Sequence, residues 1–187
     1  TVLIGYLGSY AFYHDTMRLV LAAKILHQKK LNEKIKFLLV GAGKEYYETR
    51  KCANELGLLD EIILMRPPVP EEQVPGILSA LDIAVLPGST DLMCPIKVQE
   101  YMACELPSIL PDYACNREVI NDGITGVLFR PKDEISLAEK IALLVSNPYM
   151  RCCIGHNARV EVLTRFSWES TWRMALETVL QNCKESK

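Results

Sequence analysis

The 187-residue sequence predicts a doubly wound α/β domain built on a parallel sheet. Three observations predict it. Short, continuous apolar runs recur along the chain, as strands buried on both faces require. Segments with helical spacing of apolar residues alternate with them, the order that places helices on both sides of a parallel sheet. The loops that follow the runs are rich in glycine or proline, which lets backbone approach a ligand but is also ordinary turn chemistry.

Residues 1–7 (TVLIGYL) read as a first strand closed by Gly8. Residues 16–28 form a helix, with Met17, Leu19, Val20, Leu21, Ala23, Ile25 and Leu26 at helical spacing. Residues 35–40 (IKFLLV) are a second strand ended by Gly41-Ala42-Gly43, and 45–56 a helix with Gly57 at its C-cap. Residues 61–65 are a third strand, after which Pro67, Pro68 and Pro70 forbid regular structure. A helix over 71–80, a strand over 82–86 and a loop over 87–94 follow. Residues 95–104 read as a helix with Pro95 first, where its missing N–H costs nothing. Strands at 108–110 and 127–129 flank the turns at Asp122-Gly123 and Thr125-Gly126, and helices over 136–146, 148–164 and 168–183 close the chain.

Composition bounds the function. A hydrophobic fraction of 49% supports a sizeable core and argues against disorder. The formal net charge of −2 gives no general attraction to nucleic acid or anionic membranes, so a bound anion must be held by local chemistry. The seven cysteines lack the paired spacing of a zinc site and read as buried or idle thiols of a reducing, cytoplasmic compartment. There is no secretory signal and no apolar run of membrane-spanning length. A chain that opens inside a core strand without a methionine reads as part of a longer protein, with residues missing on the N-terminal side.

In an open parallel sheet, ligands bind beyond the carboxyl ends of the strands, which selects residues 8–15, 41–44, 66–72 and 87–96. The Gly41-x-Gly43 pair invites a dinucleotide reading, but Tyr46 stands where the third glycine of that fingerprint belongs. The strongest segment is 95–107, PIKVQEYMACELP. A helix N-terminus beside a loop containing Gly88 offers free N–H groups and the positive end of the helix dipole to a phosphate. Lys97 adds a full charge in the first turn. Glu100, three residues on, shares its face and is placed to accept both hydrogen bonds of a vicinal diol such as ribose. Spacing alone favours a solvated Lys–Glu pair over a ligand site.

Several segments together resemble glycosyltransferase family 4. Residues 95–107 resemble that family's donor-helix segment of the form E-x-M-A-x-G-x-P, residues 4–15 its opening strand and phosphate loop, and residues 38–47 its second strand and turn. Residues 81–89, 116–131 and 166–176 resemble its later segments in the same order, so the likeness covers nearly the whole chain. The resemblance implies the C-terminal, Rossmann-like half of a GT-B fold. It would bind a UDP-, GDP- or ADP-linked sugar, while an absent N-terminal domain binds the acceptor and makes any peripheral membrane contact. It also implies transfer with retention, without a divalent metal or other cofactor.

By the same resemblance Glu100 binds the nucleotide ribose. The donor site comprises Gly8, Ser9, His14, Gly41, Gly43, Arg66, Met93, Cys94, Ile96, Lys97 and Glu100, with Lys97 and Glu100 as the catalytic candidates. Three departures stand out. Leu92 occupies the position of the family's first glutamate, with Asp91 beside it. Ser9 and His14 fall where a basic pair is usual, so Lys97 is expected to supply the missing charge, and His14 is either a phosphate ligand or a surface histidine. Glu105 replaces a common glycine, which predicts a different helix exit. Glu118 either contacts the donor loop or caps a short helix after Asn116, Trp168 and Trp172 are expected to pack on one helix face, and His27 and His156 are expected to be exposed. Two other classes fit the pattern less closely: a GT-B relative such as a sugar-nucleotide epimerase or phosphorylase, and a non-catalytic binding module.

Overall fold

A computed structural model describes residues 1–29, 35–90 and 96–185. The strands are β1 (Val2–Leu7), β2 (Ile35–Val40), β3 (Ile63–Arg66), β4 (Ile83–Val85), β5 (Ser108–Pro111) and β6 (Val127–Phe129). The helices are α1 (Thr16–Gln28), α2 (Tyr46–Glu55), α3 (Val74–Ser79), α4 (Ile96–Ala103), α5 (Ala114–Val119), α6 (Glu134–Ser146), α7 (Pro148–Arg165) and α8 (Trp168–Glu185). Short 3₁₀ turns at Phe12–His14 and Glu71–Gln73 precede α1 and α3.

The six strands form one sheet in the order β3-β2-β1-β4-β5-β6, and every pairing is parallel. Chain order therefore reverses between β1 and β4. Loops leaving those strands diverge there and open a crevice at their carboxyl ends. The two-residue period of the strands divides the core. Ile4, Tyr6, Phe37, Leu39, Ile83 and Val85 face a cluster completed by α1, α2 and α6. Leu7, Val40 and Ala84 face a second cluster with Leu78 of α3 and Tyr101 of α4. Gly5 lies between Leu3 and Leu7 on that second face, and the Leu81 side chain fills the space its own side chain would take.

Most elements fall where the apolar spacing puts them, and the differences have local causes. The third strand starts at Ile63 because Leu58 accepts the amides of Ile62 and Ile63, and Asp60 is left-handed at φ 59°. Residues 71–80 begin as a 3₁₀ turn, with Gln73 N–H on the Pro70 carbonyl, before α3 continues. Helix α6 begins two residues before Ser136, capped by the Asp133 carboxylate on the Ser136 amide at 2.8 Å. The short helix after β5 contains Asn116 rather than following it, and buried Asn116 donates to the Pro111 carbonyl at 2.7 Å. Glu118 is exposed within that helix.

Three further expectations are corrected. Glu105 does not change the helix exit: it adopts φ 58°, the left-handed conformation a glycine would take there. Trp168 and Trp172 do not pack; they are 80% and 61% exposed, and no described residue buries them. His27 is half-buried, with its Nδ1 lacking a hydrogen-bond partner, whereas His156 is exposed as expected. Cys115 is buried and four more described cysteines are free thiols. No described helix is long and apolar enough to cross a membrane.

Candidate functional site

The loops beyond β1 and β2 are zipped together by backbone. The Gly8 amide donates to the Val40 carbonyl at 3.0 Å, Tyr10 to Ala42 at 2.9 Å, and Glu45 to Tyr10 at 3.0 Å. Glycine is required at two of these positions. A β-carbon on Gly41 would overlap the Gly8 carbonyl oxygen, and one on Gly43 would lie 2.6 Å from the Tyr10 carbonyl oxygen. The G-x-G pair thus serves contact between two loops.

Above this floor is a cavity of about 390 Å³ at the reversal point of the sheet. Gly8, Ser9, Gly41 and Ala42 line its base, and Pro68, Val69 and Val74 form an apolar wall. Lys97 and Glu100 of α4 form the opposite wall, so the helical spacing seen in the sequence delivers both side chains to one cleft. Ile96, 72% exposed, is the first helical residue, and its amide is among those with no intrahelical carbonyl.

Lys97 is half-buried and forms no ion pair among the described residues. Its Nζ lies 3.1 Å from His14 Nε2 and 5.4 Å from the centre of the Tyr6 ring. Burial pushes its pKa down to about 8, with the Glu100 charge acting in the opposite sense. His14 sits outside the cavity, behind Lys97. Its Nδ1 is 2.7 Å from the Ser9 carbonyl oxygen and 3.0 Å from Ser9 Oγ. Burial, then the neighbouring Lys97 charge, lowers the His14 pKa, opposed by the bond to Ser9. Tyr6 Oη donates to the same Ser9 carbonyl at 2.6 Å.

Of the residues selected from sequence, Gly8, Ser9, Gly41, Lys97 and Glu100 line the cavity. Gly43 instead packs under the loop. Arg66 is exposed and does not line the cavity, because its guanidinium turns back onto the Met65 carbonyl at 3.1 Å. Met93 and Cys94 lie outside the described residues, as do Asp91, Leu92 and Pro95. The sequence reading missed Ala42 and the wall of Pro68, Val69 and Val74. Ala42, Pro68 and Val69 lie in loops the strand-end rule selects, but an apolar side chain carries no mark that separates ligand wall from core.

An apolar wall suits the face of a planar base, a carboxylate across from it suits a diol, and an ammonium beside a helix N-terminus suits phosphate. The family model for glycosyl transferases group 1 matches residues 2–161. The chain belongs to this family. The chain is 24% identical over 162 residues to the D-inositol 3-phosphate glycosyltransferase of Arthrobacter sp., covering 86% of this chain and 38% of that one. Its fold matches Anabaena HepE in complex with UDP at a TM-score of 0.84 with 18% identity, covering 97% of this chain and 49% of that one. It also matches the C-terminal domain of the group 1 glycosyl transferase LpcC from Francisella tularensis at a TM-score of 0.77 with 22% identity, covering 89% and 87% of the two chains. The fold is Rossmann-like, a parallel sheet flanked by helices. The chain spans about two fifths of the length of the curated relatives it matches, 37% and 38% of the first two.

Proposed function

We propose that this domain binds a nucleoside-diphosphate sugar and, joined to an acceptor-binding N-terminal domain, transfers the sugar to an acceptor with retention, as a member of glycosyltransferase family 4. The observation that carries the proposal is the placement of the Lys97 ammonium and the Glu100 carboxylate on one wall of the cavity, facing an apolar wall, at the reversal point of the sheet. The base lies against Val69 and Val74, the ribose diol on Glu100, and the diphosphate between Lys97 and the first amides of α4. UDP, the nucleotide bound to Anabaena HepE, is the first nucleotide to test.

In transfer, the bond between the anomeric carbon and the diphosphate oxygen breaks. The acceptor oxygen bonds to that carbon, and the acceptor proton passes to the departing phosphate. Negative charge grows on that phosphate, where the Lys97 ammonium and the helix amides are already oriented. Preorganised donors of this kind stabilise the transition state without reorganising. Neither a divalent metal nor another cofactor enters this scheme. The reading places the reaction in the cytoplasm.

Isothermal calorimetry with UDP, GDP, ADP and their sugar conjugates tests the reading. Saturable binding of one nucleoside-diphosphate series is expected, and silence across all three series would overturn it. Residues 1–187 alone should bind donor without transferring sugar, because an acceptor must be held against the anomeric carbon and half a cleft does not hold it. Robust transfer by this chain alone would contradict the proposed division of labour.

A further inference from the structure

We infer that His14 is a positioning residue that holds the Lys97 ammonium at the diphosphate site by accepting its hydrogen bond, and that His14 does not itself bind phosphate. The inference rests on the diphosphate reading above and adds to it a role and a protonation state for a residue outside the cavity.

The hydrogen bonds determine the tautomer. A backbone carbonyl oxygen only accepts, and His14 Nδ1 lies 2.7 Å from that of Ser9. Nδ1 therefore carries the proton, and Ser9 Oγ, 3.0 Å from the same nitrogen, turns a lone pair to it. In the neutral ring this leaves a lone pair on Nε2, which points at Lys97 Nζ 3.1 Å away. The ammonium has only protons to offer, so the polarity of the chain is fixed: Lys97 donates to Nε2, and Nδ1 donates to Ser9. A doubly protonated ring would aim an N–H at the ammonium, and the same contact would turn repulsive.

The ring can position the lysine because it is itself held. The Tyr13 ring lies against it with centroids 4.5 Å apart, and the Tyr6 ring stands edge-on at 6.1 Å. Its backbone abuts Gly88 so closely that a β-carbon there would lie 2.7 Å from the His14 carbonyl carbon and 2.6 Å from the Tyr13 carbonyl oxygen. Lys97, by contrast, has four side-chain torsions to order and no carboxylate partner among the described residues. The groups that face the ammonium are Tyr6 from β1, His14 from the 3₁₀ turn and Glu100 from α4 itself. Tyr6 stays protonated, since burial raises its pKa. A neutral acceptor on one side of Lys97 leaves its remaining protons for phosphate oxygens. A carboxylate in the place of His14 would compete for the same charge.

A double-mutant cycle with UDP and UMP on the 187-residue chain tests this, alongside long-range ¹⁵N spectra of the free protein. His14→Ala is expected to weaken UDP roughly tenfold, as loss of a charge-assisted hydrogen bond does. The same change in a Lys97→Ala background should do almost nothing. His14→Gln, which keeps an acceptor and cannot become a cation, should recover much of the loss. The spectra should show a neutral ring with its proton on Nδ1 at pH 7, and Lys97→Ala should raise the histidine's pKa. A loss of equal size in both backgrounds, a His14→Gln variant as weak as His14→Ala, or a proton on Nε2 would each overturn the inference while leaving UDP binding in place. A wild-type chain that binds no UDP would overturn the diphosphate reading and, with it, the role given to His14.

Discussion

Gly41 packs against Gly8 so closely that the Gly8 carbonyl oxygen occupies the place of a Gly41 side chain. That oxygen cannot withdraw freely, because the Gly8 amide is tied to Val40 and the Gly41 amide to the Arg66 carbonyl at 3.1 Å. Gly41→Ala should therefore lower stability by about 2 kcal/mol, in the range of an overpacked, strained backbone. It should also distort the base of the nucleotide cavity. Gly57→Ala makes a useful comparison: its φ is also left-handed, at 69°, but no atom beyond its own chain neighbours lies within 4 Å of the added carbon. Its cost should be about 1 kcal/mol with nucleotide binding intact. Equal melting temperatures for the Gly41 variant and the wild type would refute the packing argument.

Lys97 carries the next expectation. Lys97→Ala should weaken UDP about tenfold and UMP much less, and should flatten the salt dependence of binding. Lys97→Arg should restore only part of the loss, because a planar fork does not mimic a point charge and has little room above Gly8. The pH dependence follows from burial. The free ammonium has a pKa of about 8 instead of 10.5, and a bound diphosphate would raise it again. Binding should then take up a proton above pH 8, and affinity should fall as pH rises through that value. For stability the sign is opposite: the unfolded chain binds more protons between about 8 and 10.5, so stability should rise with pH across that window. Calorimetry near pH 9 in buffers of different ionisation enthalpy would detect the proton, and Lys97→Met should abolish it.

Glu100 is expected to hold the ribose diol through two charge-assisted hydrogen bonds. Glu100→Gln should cost on the order of 2 kcal/mol of UDP binding. The 2′-deoxy nucleotide should bind the wild type more weakly and lose less on mutation, since one partner is already absent. Unchanged affinity of a folded Glu100→Gln protein for UDP would remove Glu100 from the site.

The exit of α4 offers a test of backbone strain. Glu105 holds φ 58°, a conformation that costs a side-chain-bearing residue about 1 kcal/mol relative to glycine. In return its carboxylate meets His156 Nδ1 at 3.2 Å, but both groups are exposed and such a pair contributes little. Glu105→Gly should therefore stabilise the domain by about 0.5 kcal/mol or more. Gly155→Ala should do the reverse, because its added carbon would overlap the Glu105 carbonyl oxygen where α7 crosses this exit. Chemical denaturation of both variants would separate the two effects.

The sequence by itself determined the strands, the parallel class and the helix that carries Lys97 and Glu100. Those features depend on short-range periodicity: apolar runs form strands buried on both faces, and a three-residue spacing on a helix puts two side chains on one side whatever lies opposite. The strand-end rule located the loops of the cleft for the same reason. What lay opposite was decided only in three dimensions. Arg66, the last residue of β3 at the right end of the sheet, turns its side chain back to the Met65 carbonyl, and no local pattern records that choice. Val69 and Val74 became a cavity wall because β3 ends beside β2, not because of their type. His14 and Lys97 are 83 positions apart, and their contact exists because chain order reverses between β1 and β4, bringing the turn after one strand onto the helix after the other. Local pattern specifies which groups an element presents, whereas only the packing of distant elements specifies which groups meet.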